Sequence, residues 1–133
     1  MIYRFTTSLL VDLPLVWQIF GLVLHWLTAC GLWMTVRQVW RRNESAALWS
    51  SLLFLVYPGF RQSSIAFMYG HFFIAYAAYF WSLALNLLAL RKTRAAPLYT
   101  AAALLLSALN LLTLEYFFVL ELLRPAFLWL ACA

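Results

Sequence analysis

Apolar residues dominate four stretches of the chain, residues 13–36, 46–57, 65–90 and 98–114, and most of the polar positions fall between them rather than alternating with them. A helix needs about 20 residues to cross a hydrocarbon core roughly 30 Å thick, so these runs count as candidate spans. Pro14 stands in the first turn of the first run, where a missing N–H costs nothing, and Asp12 before it suits a helix N-terminus through capping and the dipole. The second run is short for a full crossing and is expected to begin within the interface or to lean against its neighbours. A fifth run, 116–131, is interrupted by Glu121, Arg124 and Pro125, and reads either as a further span or as a partly inserted helix. The pattern predicts an all-α, multi-pass transmembrane helical bundle of four spans with that fifth left open. No linker or convincing repeat divides it into domains.

The polar breaks set the orientation. Arg37, Arg41 and Arg42, with Asn43 and Glu44, form a short polar loop after the first span, and Arg91, Lys92 and Arg94, closed by Pro97, form a second. Short loops rich in Lys and Arg stay on the cytoplasmic side. With both loops inside, the 45 to 90 segment crosses an even number of times, and two crossings fit its length. The turn between them falls at the one central break, Tyr57-Pro58-Gly59-Phe60-Arg61-Gln62-Ser63-Ser64, where Pro removes a donor and Gly permits unusual dihedrals. That hairpin therefore points outward. The N-terminus also lies outside, and residues 1–11, with Tyr3, Arg4 and Thr6 among Ile2 and Phe5, suit an interfacial segment. At the other end, Leu130-Ala131-Cys132-Ala133 has no polar exit and reads as a truncation of a larger parent.

Composition strengthens the membrane reading. Of 133 residues, 67% are apolar and 10% are charged, with a mean hydropathy of +0.90. A soluble domain of this size has about a quarter of its residues charged and roughly half apolar, so this chain lacks the polar surface to cover a water-exposed exterior. Soluble enzymes, nucleic-acid modules and disordered tails are thereby excluded. The expected partners are membrane lipids and other membrane helices, with no nucleic acid despite a net charge of +5. Trp17, Trp40, Trp49, Tyr57 and Tyr99 fall near span edges, where amphipathic rings sit at headgroup level. Trp26 and Trp33 are expected deeper, packed against other helices. Cys30 and Cys132 lie in apolar runs, where a thiol behaves as a small hydrophobe. Leu27-Thr28-Ala29-Cys30 has the form of a lipoprotein cleavage box, but Trp33, Val36, Val39 and Trp40 follow it where a polar mature chain would begin.

Ionisable groups within spans are expensive and are functional candidates by default. His25, mid-span, is either a hydrogen-bonded structural residue or a substrate or proton contact. Arg61, Gln62, Ser63, Ser64, Tyr69 and His71 lie together around the outward hairpin. A guanidinium grips phosphate through two parallel hydrogen bonds, and hydroxyl, amide and imidazole groups orient a sugar or headgroup. Arg61 serves there either as part of such a site or as a simple headgroup anchor. Glu115 marks a span boundary or faces a cavity, with Asn110 five residues before it. Glu121 and Arg124, three apart on one helix face, are expected to pair locally. No HExxH, CxxC, GxSxG or phosphate-binding glycine loop is present, and no metal site is expected.

Leu24-His25-Trp26-Leu27 through Leu32-Trp33, the basic loop at 37–42, Ala46-Ala47 followed by Leu53-Phe54-Leu55-Val56-Tyr57-Pro58, then Tyr69, the helix to Leu90 and the Arg91-Lys92 exit occur in an order that resembles the membrane core of the GT-C glycosyltransferases, particularly bacterial relatives of protein O-mannosyltransferases. Asn110 and Leu114-Glu115 resemble a later helix end in that group. The resemblance covers about two thirds of the chain. It implies a bacterial inner-membrane protein derived from an enzyme that transfers sugar from a polyprenyl-phosphate donor at the external face. It also implies a divalent metal in a full-length parent, and substrate contacts at Arg61, Tyr69, His71 and Glu115. The acidic first external loop of that family has no recognisable counterpart here, so the chain by itself is expected to lack the catalytic loop. The competing reading is non-enzymatic, a small multi-pass subunit packed in a larger membrane complex.

Overall fold

A computed structural model describes residues 14–57, 66–91, 93–113 and 118–132, and among them the only regular elements are helices. These are α1 (Pro14–Val39), α2 (Glu44–Val56), α3 (Ala66–Ala89), a 3-10 turn (Thr93–Ala95), α4 (Ala96–Thr113), α5 (Phe118–Leu122) and α6 (Arg124–Cys132). Helices form where the apolar runs predict them. α1 begins at Pro14, and it runs three residues past the predicted 36, placing Arg37 in its last turn, where a cation meets the negative end of the helix dipole. Trp40 to Asn43 then make the turn. The Asn43 side chain accepts a hydrogen bond from Ala46 N at 3.1 Å, and Glu44 stands in the first turn of α2, so cap and charge both favour a start there.

Two of the helices are long and apolar enough to cross a membrane, over Leu15–Val39 and Gly70–Ala89. At 1.5 Å per residue, α1 and α3 reach about 39 and 36 Å, α4 about 27 Å and α2 about 20 Å. The fifth apolar run is not one continuous helix: α5 and α6 break at Leu123, two residues before Pro125. The proline ring cannot donate to the carbonyl of Glu121, four residues back, and it sits instead in the first turn of a new helix.

α3 lies at the centre, packed on one side against α1 and on the other against α4, while α2 covers α1. Its Ala75, Ala77, Ala78 and Ala84 are buried and let both neighbours approach closely. The α1–α3 pair is parallel. Thr28 Oγ1 faces Phe73 O at 3.3 Å, Thr35 Oγ1 faces Phe80 O at 3.1 Å, and Gln38 Nε2 donates to Ala84 O at 3.2 Å, so the partner residue advances along α3 as the donor advances along α1. Each threonine also has the carbonyl four residues back within reach, Leu24 O at 2.7 Å and Gly31 O at 2.9 Å, so one hydroxyl proton is shared between its own helix and the next. α2 runs back along α1: Glu44 meets Arg37 at one end and Phe54 meets His25 further up.

The seam on α1 is built from Gly21, Thr28 and Thr35, seven residues apart, and Gly31 and Gln38, also seven apart, all buried. A seven-residue repeat keeps one narrow stripe facing a left-handed neighbour. Large rings do not fit that stripe. Trp26 is therefore 61% exposed and Trp33 is exposed as well, which corrects the expectation that both pack deep between helices. The ring that does enter comes from α3: Trp81 lies against Gly31 and its Nε1 donates to Leu27 O at 3.0 Å.

Polar side chains bonded across a helix pair contribute about 0.6 to 2 kcal/mol each in a bilayer setting. Thr35→Val keeps the shape and removes the bond to Phe80 O, so it is expected to destabilise the bundle by about 1 kcal/mol in a denaturant titration in detergent micelles. Ser50→Ala is the comparison. The Ser50 hydroxyl donates at 2.7 Å to Ala46 O in its own helix, and its loss is expected to change stability by less than about 0.5 kcal/mol. Equal effects from the two would show that the inter-helix bond contributes nothing.

Candidate functional site

Two polar constellations stand out from the apolar bundle. The first joins three helix stripes. Tyr79 and Ser82 lie one turn apart on α3; Ala103, Ser107 and Asn110 follow one face of α4; Leu120, Glu121 and Arg124 come from the α5–α6 break. Arg124 Nε donates to Glu121 Oε2 at 2.6 Å and its second terminal nitrogen to Oε1 at 2.9 Å, a two-pronged pair with the side chains only 14% and 12% exposed. Such pairing is the strong, directional form of carboxylate recognition. Ser107 Oγ at 3.0 Å and Asn110 Nδ2 at 3.4 Å also donate to Oε1. The remaining terminal nitrogen of Arg124 donates to Ser82 Oγ at 2.9 Å, which passes its own proton to Ala103 O at 2.7 Å, and Tyr79 OH donates to Leu120 O at 2.8 Å.

This arrangement holds a segment in place. Oε1 already takes three donors and the guanidinium is committed on three nitrogens, so the carboxylate is clamped rather than poised to take a proton or an ion. It ties the tail to α3 and α4 without a covalent bond. The i,i+3 pairing of Glu121 and Arg124 expected from the sequence is present. Its three helpers on α3 and α4 are Ser82, Ser107 and Asn110, of which only Asn110 was set beside the pair in the sequence. The signal for them was that Ser82, Ser107 and Asn110 interrupt otherwise apolar helices. Asn110 Oδ1 is buried and has no donor among the described residues, a cost of about 1 to 3 kcal/mol.

The second constellation lies at the C-terminal ends of α1 and α3. Because the two helices are parallel, the basic clusters that follow them are brought together. Arg91 donates to Gln38 O, and Arg37, Arg41 and Arg91 line one cleft of about 400 Å³ with Trp33, Gln38 and Glu44 on its walls. The Arg37 guanidinium sits 5.0 Å from the Trp33 ring centre and 3.2 Å from Glu44. Gln38 donates from Nε2 to Met34 O and Ala84 O, and its Oε1 is buried without a donor.

Of the residues singled out in the sequence, Arg61 and Glu115 lie outside the described residues, as do Asp12 and the rest of the outward hairpin from Pro58 to Ser64. Tyr69 falls in the first turn of α3, but its side chain is outside the described part. His71, half-buried, stacks on Phe72 with ring centres 4.3 Å apart. Among the described residues the only member of that candidate set with a placed side chain is His71. His25 lies between Phe54 and Phe73, at 5.6 and 4.8 Å between ring centres, and also lines an apolar cavity of about 310 Å³ with Leu22, Val23, Trp26 and Leu55. Cys30 is a free thiol, and among the described residues no cluster of three or more His, Cys, Asp or Glu could hold a metal ion. Comparison with protein-family models, curated proteins and solved structures finds no match for this chain.

Proposed function

We propose that the chain is a multi-pass integral membrane protein, with α1, α2, α3 and α4 crossing or entering the bilayer and both basic clusters on the cytoplasmic side, and that it serves as a non-enzymatic helical subunit. The carrying observation is the parallel α1–α3 pair with its cations at one end. Two long apolar helices that run the same way require the chain between them to return, which α2 begins to do, and the six cations of the two loops then face one side, as the rule for cytoplasmic loops demands. The interior polar groups support the non-enzymatic part. Thr28, Thr35, Gln38, Ser82 and the Glu121–Arg124 pair are engaged with carbonyls and with one another, as helix-joining groups are in lipid. Leu15, Leu22, Trp26, Leu53, Leu104, Leu105 and Leu112 face outward, a surface suited to acyl chains and to other membrane helices.

The bacterial inner membrane, and descent from a polyprenyl-phosphate sugar transferase, rest on the resemblance alone, and sugar transfer by a full-length parent that needs Arg61 would move the assignment to that enzyme class. The membrane reading is tested by cysteine labelling in intact cells with an impermeant maleimide after replacing both native cysteines by Ala. Ser63→Cys is expected to react from outside and Arg42→Cys only after permeabilisation. Arg42 is preferred to Asn43 because the Asn43 side chain caps α2. The reverse labelling pattern would overturn the orientation, and release of the chain by alkaline carbonate would overturn the membrane assignment itself.

A further inference from the structure

We infer that the cleft at the C-terminal ends of α1 and α3 is a binding site for the phosphate of an anionic phospholipid, with Arg37, Arg41 and Arg91 as its cationic wall. This rests on the membrane reading above and goes beyond it by naming a specific ligand class. Three guanidinium groups and one carboxylate, Glu44, line a cavity of about 400 Å³, a local excess of two positive charges in a space suited to a headgroup. The three arginines come from two chain segments fifty or more residues apart and converge because α1 and α3 are parallel. Arg91 is fixed by its bond to Gln38 O, and Arg37 is steered by the Trp33 face and by a single contact to Glu44. The Arg37–Glu44 pair is open to solvent on both sides, so an incoming phosphate displaces a weak interaction.

The walls are mixed in the way a lipid demands. Trp33, Met34 and Leu88 supply its apolar lining, and Arg37, Arg41 and Arg91 its cationic lining. An ester phosphate held by the arginines leaves its acyl chains along the exposed apolar flank of Trp33, which a soluble phosphate would leave empty. Basic pockets between helices on the cytoplasmic side recognise anionic headgroups in this manner. Gln38 also lines the cleft and is held there by its Nε2 bonds to Met34 O and Ala84 O.

The full chain, purified and placed in nanodiscs of phosphatidylcholine doped with phosphatidylglycerol, is the material for the test, with lipid retention read by native mass spectrometry. The expected result is selective retention of phosphatidylglycerol. The double variant Arg37→Gln/Arg41→Gln is expected to lose about five-fold per charge removed, about 25-fold together. Arg42→Gln/Arg94→Gln removes the same charge from exposed positions outside the cleft and is expected to keep the selectivity. Equal loss in both double variants would overturn the site, because it would mean that overall charge alone attracts the lipid. Displacement of the lipid by millimolar inorganic phosphate would overturn the lipid assignment in favour of a soluble phosphate. The labelling pattern of Ser63→Cys and Arg42→Cys separates the two levels: wrong topology fails the membrane reading, whereas correct topology without selectivity fails only this one.

Discussion

Replacing Arg124 by Ala is expected to destabilise the bundle by about 3 to 5 kcal/mol, read as a shift of the unfolding midpoint in a denaturant titration of the full chain in micelles. The substitution removes two donors from Glu121 and leaves the carboxylate with only Ser107 and Asn110 in a site where its side chain is 12% exposed. An ion left behind without its partner suffers nearly the whole desolvation penalty, which is why breaking such a pair costs more than the pair is worth. Glu121→Ala should act similarly, since the guanidinium then keeps only Ser82 Oγ as acceptor. Glu121→Leu/Arg124→Met removes both charges and fills the same space with apolar atoms. It is expected to recover most of the loss, giving a coupling of more than about 2 kcal/mol in the double-mutant cycle. Single substitutions costing less than about 1 kcal/mol would show that the pair is effectively a surface one and that the tail is not held by it.

The sequence made the helices legible because long apolar runs are separated by short polar or proline-bearing breaks. The start of α1 at Pro14, the turn after the first arginines and the ends of α3 and α4 all fall within a few residues of expectation. The common direction of α1 and α3 was also legible, since two basic loops on one side require an even number of crossings between them. What the sequence could not supply was register. Glu121 and Arg124 are neighbours on one helix face and could be paired by spacing, whereas Ser82 and Asn110 meet them only through the way α3, α4 and the tail pack. The seven-residue spacing of Gly21, Thr28 and Thr35 was visible in the sequence, but three small residues among so many leucines carry little hydropathy contrast. Trp26 and Trp33 are expected against other helices because they fall within the first run rather than at its edges. The interior turned out to require small residues on α1, and if the chain lies in lipid as proposed, an apolar ring gains nothing by being buried against protein rather than acyl chains. Of the four candidate substrate contacts, only His71 has a described side chain, and its ring lies against Phe72; the side chains of the other three fall outside the described part.

Gly31→Val is expected to be the most damaging change on the α1–α3 seam, because the seam depends on a missing side chain. A Cβ at Gly31 would lie 3.0 Å from Trp81 Cδ1, 3.1 Å from Phe80 Cβ and 3.2 Å from Trp81 Nε1. The first and third of these belong to an indole whose position is fixed by its bond to Leu27 O, and the second sits directly on the α3 backbone, so neither neighbour gives way cheaply. The two methyl groups of valine then have no space without separating the helices, which also stretches the contact of Thr35 to Phe80 O. Overpacking of this kind costs about 1 to 3 kcal/mol and a lost hydrogen bond about 1 more. A total near 3 kcal/mol is therefore expected, against a helix propensity that favours any residue over glycine. Gly70→Ala provides the contrast, since the nearest atom to its added Cβ is Phe20 Cε1 at 3.9 Å, ordinary contact, and the substitution is expected to raise stability by up to about 1 kcal/mol. A Trp81→Ala background should relieve much of the valine clash. If Gly31→Val were equally harmful with and without the indole, the loss would have to come from the approach of the α3 backbone at Phe80, and the close fit of ring to glycine would not be what sets the distance between the two helices.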